Sequence, residues 1–122
     1  MLKSEKGFTL IEIIAVLVIL GILAAVAVPK YISMQDEARI NAAQLAIAEV
    51  KGRANSYFSL ITLRNGTAAA PASVLASVTA APPMGDDFTV AAEASASDIK
   101  ISVTAVRGTS ITAVVGTWYY PQ

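Results

Sequence analysis

The sequence predicts an α+β fold, a long N-terminal α-helix packed by a small antiparallel β-meander of about three strands. Three observations carry that prediction. From Phe8 to Val28 the chain is almost wholly apolar, with Glu12 its one charge. Apolar residues at helical spacing follow as far as Ile61, and from Phe88 onward apolar and polar residues alternate. A period near 3.6 marks an amphipathic helix, whereas a period of two marks a strand with one buried face.

Composition narrows the function classes. Of 122 residues 55% are hydrophobic, and the mean hydropathy is +0.60. Nine basic and nine acidic side chains cancel, so no basic face argues for a nucleic-acid partner. With no cysteine, the chain has no disulfide, no Cys-ligated metal and no thiol nucleophile. With no histidine, it lacks the usual general base and the commonest metal ligand. No catalytic residues and no cofactor are assigned.

The first element is the apolar run. At about 1.5 Å per residue, a helix over Phe8–Val28 is roughly 31 Å long, close to the hydrocarbon thickness of a bilayer. Lys3 and Lys6 precede it, while Lys30 is soon offset by Asp36 and Glu37, which places the N-terminus in the cytoplasm. Three readings compete. A secretory signal peptide would use Ala25-Val26-Ala27 as its cleavage site, but the apolar region is long for one and a discarded segment has no use for Glu12. A plain single-pass anchor fits the length but leaves Glu12 without a partner, and a carboxylate in the membrane costs on the order of 2.5 kcal/mol or more. The third reading supplies the partner. Cleavage after Gly7 creates an α-amino group on Phe8, one helical turn before Glu12, and the two charges can pair within one chain or between copies. A pair between copies fixes the axial register of neighbouring helices, and removing one member strands the other.

The stretch KGFTLIEIIAVLVILGILAAVAVPKY closely resembles the N-terminus of type IV pilins, shared with the pseudopilins of type II secretion systems. The matching features are a short basic leader ending in Gly7, then Phe8, Glu12, Gly21, Pro29 and Tyr31 in fixed register. The resemblance covers about the first 30 residues of the 122. It implies cleavage between Gly7 and Phe8 by a prepilin peptidase, N-methylation of Phe8, and assembly into a helical homopolymer whose core is this apolar segment. It also implies that Glu12 meets the N-terminal amine of a neighbouring subunit. The expected partners are further copies of the chain, the peptidase, and pilus or type II secretion machinery. Before assembly the chain is expected as a single-pass protein of the inner membrane, and afterwards in a filament outside the cell. A pilus-like filament subunit is the leading expectation. A secretion pseudopilin is the alternative within the family, and a membrane-anchored or secreted binding domain the alternative outside it.

The expected segments are a leader (1–7), a membrane-spanning and polymerisation helix (8–29), an amphipathic helix (30–65), a loop (66–87) and a β-meander (88–122). Pro29 lacks the N–H that would bond Ala25, so a kink or loosening is expected there. Gly21 is a second weak point, costing about 1 kcal/mol relative to alanine. Together they mark an expected helix break in a packed filament, with ordinary tolerance of both residues in membrane helices as the alternative. Ser33 before Asp36 or Glu37 offers a cap for a restarted helix, and simple continuation is the other option.

Farther on, Ala43, Ile47, Val50, Ala54, Tyr57 and Ile61 form the stripe of the amphipathic half. Arg64-Asn65-Gly66 is a stop signal. It explains Asn65-Gly66-Thr67 better than glycosylation of that triplet does. A short helix begun by Pro71 and running through Leu75 fits the loop. Phe88, Val90 and Ala92 define the first strand, Ile99, Ile101, Val103 and Ala105 the second, and Ile111, Ala113 and Val115 the third. Arg107-Gly108-Thr109 is a short turn that makes the last two strands antiparallel. Trp118, Tyr119 and Tyr120 are expected to close the core. Asp86, Asp87, Glu93 and Asp98 lack the spacing of a calcium loop and read as solvated acids, so no metal site is assigned.

Overall fold

Helix α1 (Leu10–Asn65) is the longest element of a computed structural model that describes residues 7–80 and 85–121. The leader up to residue 6 and the Pro82-Pro83 part of the loop lie outside the described residues. By its internal contacts the chain falls into two units, divided between Gln35 and Asp36.

In the first unit every described side chain is exposed. No described residue of this unit buries an apolar side chain, so the helix there is held by its own backbone hydrogen bonds. It is long and apolar enough to cross a membrane by length and composition, with a mean hydropathy of 3.0 over its most apolar window. Gly21 and Pro29 both lie inside the continuous helix of this single chain. The option of a restart at Ser33 is corrected to continuation, since one helix runs through it.

The second unit contains the core. The α1 residues Ala43, Ala46, Ile47, Val50 and Ala54 are buried, with Tyr57, Phe58 and Ile61 packed beside them. Their spacing puts them on one face, and along the same helix the Arg39–Asp36 and Arg53–Glu49 ion pairs form at 2.9 and 3.0 Å. The helix ends as its sequence dictates. Gly66 has φ +69° and its N–H bonds the Thr62 carbonyl at 2.9 Å, a left-handed cap that a residue with a Cβ adopts only under strain.

Helix α2 (Pro71–Thr79) starts at the proline and runs past Leu75, burying Val74 and Val78. A 3-10 turn, Gly85–Asp87, leads into the sheet. Strands β1 (Phe88–Ala94), β2 (Asp98–Val106) and β3 (Thr109–Tyr119) form an antiparallel meander in the order β1-β2-β3. The β2–β3 turn is tighter than the sequence suggests, because Thr109 already pairs with Val106. Arg107 and Gly108 carry φ +50° and +75°, the positive values that a two-residue hairpin turn of the right twist needs at both positions.

Two expectations about which residues face inward are corrected. In β2 the alternation Ile99, Ile101, Val103 is buried as expected, but Val106 rather than Ala105 takes the next buried place. Register shifts at Thr89/Val90 in β1 and at Val103/Ala105 in β2 are the cause, because an extra residue in a ladder reverses the faces beyond it. In β3 the same irregularity exposes Ala113 and Val115, and Val114, Gly116 and Trp118 face the helix side instead.

The aromatic closure also divides. Trp118 is buried and Tyr120 packs on the core, whereas Tyr119 is 74% exposed. Phe58, Trp118 and Tyr120 meet edge to face with centroids 5.1 to 6.1 Å apart, the arrangement that ring quadrupoles favour. Both polar tips are satisfied: Trp118 Nε1–H donates to Asn55 Oδ1 at 2.7 Å, and the Tyr120 hydroxyl donates to the Ala69 carbonyl.

Candidate functional site

The residues singled out for processing and assembly, Gly7, Phe8 and Glu12, fall at the start of α1. Thr9 is the residue before the first helical one, and its carbonyl accepts the Ile13 N–H at 3.3 Å. The Thr9 N–H donates to Glu12 Oε2 at 2.8 Å, and the Glu12 N–H donates to Thr9 Oγ1 at 3.3 Å. This is a reciprocal capping box, in which two helix-end donors that would otherwise lack partners satisfy each other's side chains. Glu12 also places its negative charge in the first turn, where the helix dipole favours it.

This geometry corrects one premise. A plain anchor does not leave Glu12 without a partner, because Thr9 of the same chain supplies one. Thr9 is the site residue that reading from Glu12 alone misses. Its signal stands in the sequence as Thr9-Leu10-Ile11-Glu12, the T-x-x-E pattern that opens a helix.

Around the box the surface is apolar. Phe8, Leu10 and Ile11 are 86%, 78% and 71% exposed, and the large side chains onward to Val28 are exposed as well. Gly21 has nothing within 4 Å of where a Cβ would sit, so no contact within this chain demands a glycine. The acids considered for calcium lie apart from the box. Asp86 and Asp87 sit in the 3-10 turn, Glu93 lies opposite Lys100 across the β1–β2 ladder, and Asp98 begins β2. Among the described residues no group of three or more acidic or other metal-ligating side chains comes together.

The site is thus an acidic, capped start to an exposed helix that is long and apolar enough to cross a membrane, with a small α+β unit later in the chain. Residues 2–28 match the prokaryotic N-terminal methylation motif. The chain is 44% identical over 55 residues to type II secretion system core protein G of Pseudomonas aeruginosa, covering 45% of this chain and 39% of that protein. It is 58% identical over 33 residues to the type IV narrow pilus major component PilA5 of Thermus thermophilus, covering 27% and 28% of the two chains. A third relative is the type IV major pilin PilE1 of Neisseria gonorrhoeae, 43% identical over 54 residues, with 44% and 33% covered. The aligned stretch thus spans less than two-fifths of each of these relatives. No solved structure is significantly similar to the chain. In the aligned segment the chain is similar to type IV pilins and to a core protein of the type II secretion system.

Proposed function

We propose that the chain is the precursor of a structural, non-catalytic subunit of a type IV pilus-like filament. In this reading a prepilin peptidase cuts between Gly7 and Phe8, and Phe8 is methylated on its new amine. The mature subunit waits in the inner membrane on its apolar helix, with its N-terminus towards the cytoplasm, until assembly machinery draws it into a helical homopolymer outside the cell. The exposed apolar side chains from Leu10 to Val28 become the packed centre of that polymer, and the α+β unit its outer surface. Gly21 to Pro29 loosens as the helices pack, because one residue lacks a Cβ and the other an N–H. Glu12 meets the Phe8 amine of an adjoining copy, so that two charges in apolar surroundings satisfy each other.

The observation that carries this reading is the match of residues 2–28 to the methylation motif, on a stretch of helix whose apolar side chains up to Val28 are exposed. A second reading, a pseudopilin of a type II secretion system, is supported by the likeness to core protein G. Mass spectrometry of the mature protein is expected to find Phe8 as the first residue, carrying one methyl group; a start at Val28 would mean a signal peptide instead. Glu12→Ala is expected to stay in the membrane and yield no filaments, and normal filaments from that variant would remove the pairing. Recovery in filaments sheared from cells favours the pilus, whereas a deletion that stops secretion and leaves surface fibres intact favours the pseudopilin.

A further inference from the structure

Asn65-Gly66 does more than end α1. Asn65 is the last residue of that helix and is exposed, and among the described residues its side-chain amide makes no hydrogen bond. The next residue is a glycine with φ +69° and nothing within 4 Å of where a Cβ would sit. An asparagine followed by glycine has its carboxamide carbon close to a backbone nitrogen that no side chain shields. We propose that Asn65–Gly66 is a site of spontaneous covalent modification, in which the Asn65 side-chain amide is lost through a cyclic imide, and that the Thr62–Gly66 hydrogen bond holds the reaction in check. The chemistry is independent of the filament function proposed above.

In the first step the Gly66 amide nitrogen loses its proton and attacks Asn65 Cγ. The new N–Cγ bond closes the imide, and the side-chain nitrogen leaves as ammonia. Water then opens the ring at either carbonyl. Breaking the N–Cγ bond yields aspartate, whereas breaking the original peptide bond leaves the chain running through Cγ as isoaspartate, with one more backbone carbon. Water is the one co-reactant, so neither oxidant nor enzyme is needed. In the folded chain the attacking nitrogen is occupied, because the Gly66 N–H donates to the Thr62 carbonyl at 2.9 Å. The reaction therefore proceeds through opening of the last turn, and helix ends are where opening is easiest. The other two asparagines lack these features. Asn41 and Asn55 lie inside α1 and are followed by Ala42 and Ser56, and Asn55 Oδ1 accepts the Trp118 Nε1–H at 2.7 Å.

Both products put a carboxylate at the C-terminus of α1, where the helix dipole disfavours negative charge. Isoaspartate also lengthens the connection from α1 to Ala69, which is buried and whose carbonyl accepts the Tyr120 hydroxyl. Modification at the exposed helix end thus reaches the Phe58, Trp118 and Tyr120 rings.

The experiment ages the full chain in detergent at mildly alkaline pH, folded and in denaturant, and follows each asparagine by peptide mass spectrometry. Acid is expected to accumulate at Asn65 while Asn41 and Asn55 remain amides. Conversion should be about tenfold slower in the folded chain, the effect of one net backbone hydrogen bond. Asn65→Gln would need a larger ring and should stay unmodified. In denaturant, where the cap no longer matters, Gly66→Ala should react more slowly than the parent because its Cβ shields the nitrogen. The aged parent should lose about 4 °C from its Trp118 unfolding midpoint, and aged Asn65→Gln should lose nothing. Conversion at Asn65 no faster than at Asn41 would overturn the site. Equal rates in the folded and unfolded chain would overturn the check by Thr62, and a converted chain with an unchanged midpoint would overturn the link to the aromatic rings.

Discussion

Residues 10–35 and 36–65 share one helix, yet no side chain of the first stretch is buried, whereas Ala43, Ala46, Ile47, Val50 and Ala54 of the second are. Both stretches have the same backbone geometry, so the difference lies in what covers the apolar side chains. In the second stretch three strands and α2 supply that cover. In the first no described residue supplies it, and its apolar side chains stand exposed. Stability in one half is therefore intramolecular, and in the other it depends on surroundings. Helical propensity alone does not separate the two halves, because most helical stability in proteins comes from packing of an apolar face.

Trp118 is the one tryptophan and sits in the second unit, so its fluorescence reports that unit's unfolding in the full chain held in detergent. The largest expected effect is for Ile101→Ala. Ile101 is fully buried on β2, and the loss should be about 2–5 kcal/mol of unfolding free energy, with membrane retention unchanged. Leu17→Lys tests the opposite half. Leu17 is 62% exposed within the chain, so the Trp118 transition should stay put. Membrane retention should weaken by about 3 kcal/mol, read by extraction from the bilayer. If Leu17→Lys lowered the Trp118 transition as much as Ile101→Ala does, the contrast between the halves would collapse.

Gly116→Ala sharpens the comparison within the second unit. A methyl group there would overlap Ile47 Cγ2 and come within 3.3 Å of Lys51 Cε. Isoleucine is branched at Cβ and stiff, so the methyl cannot swing aside cheaply, and a loss of about 1–3 kcal/mol is expected in the same fluorescence measurement. The smallest effect is for Val115→Thr, one residue before Gly116 and 54% exposed, which should change stability by less than about 0.5 kcal/mol. A cost for Val115→Thr equal to that of Gly116→Ala would mean that β3 presents the other face to the helix.

Much of the fold was legible because local chemistry has few solutions. The helix stop at Asn65-Gly66, the start at Pro71, the turn at Arg107-Gly108 and the inward set of the first strand each follow from a residue's own backbone limits or from a short period. Glu12 stands out in the sequence as the lone charge in an apolar run. The structure puts Thr9, three residues away, in hydrogen-bond contact with it. The parity of β2 and β3 was not legible past Val103, because a bulge changes which residues face inward without leaving a glycine or proline to mark it. Nor was the division between Trp118 and Tyr119, since neighbours on a strand point to opposite faces and the ladder decides which face is inside.

By itself, then, the sequence determined the order and type of the elements, the apolar first half of the helix and the registered Gly7-Phe8-Thr9-Glu12 start. These depend on side-chain polarity and on contacts within one or two helical turns, which a linear pattern records in full. Only the tertiary structure decided that Val106 and not Ala105 is buried, that Gly116 gives Ile47 its room, and that Asn55 serves the Trp118 indole. Each of those joins residues far apart in the chain. Such contacts are chosen by how strands and helices fit together in space, which the local pattern of residues does not specify.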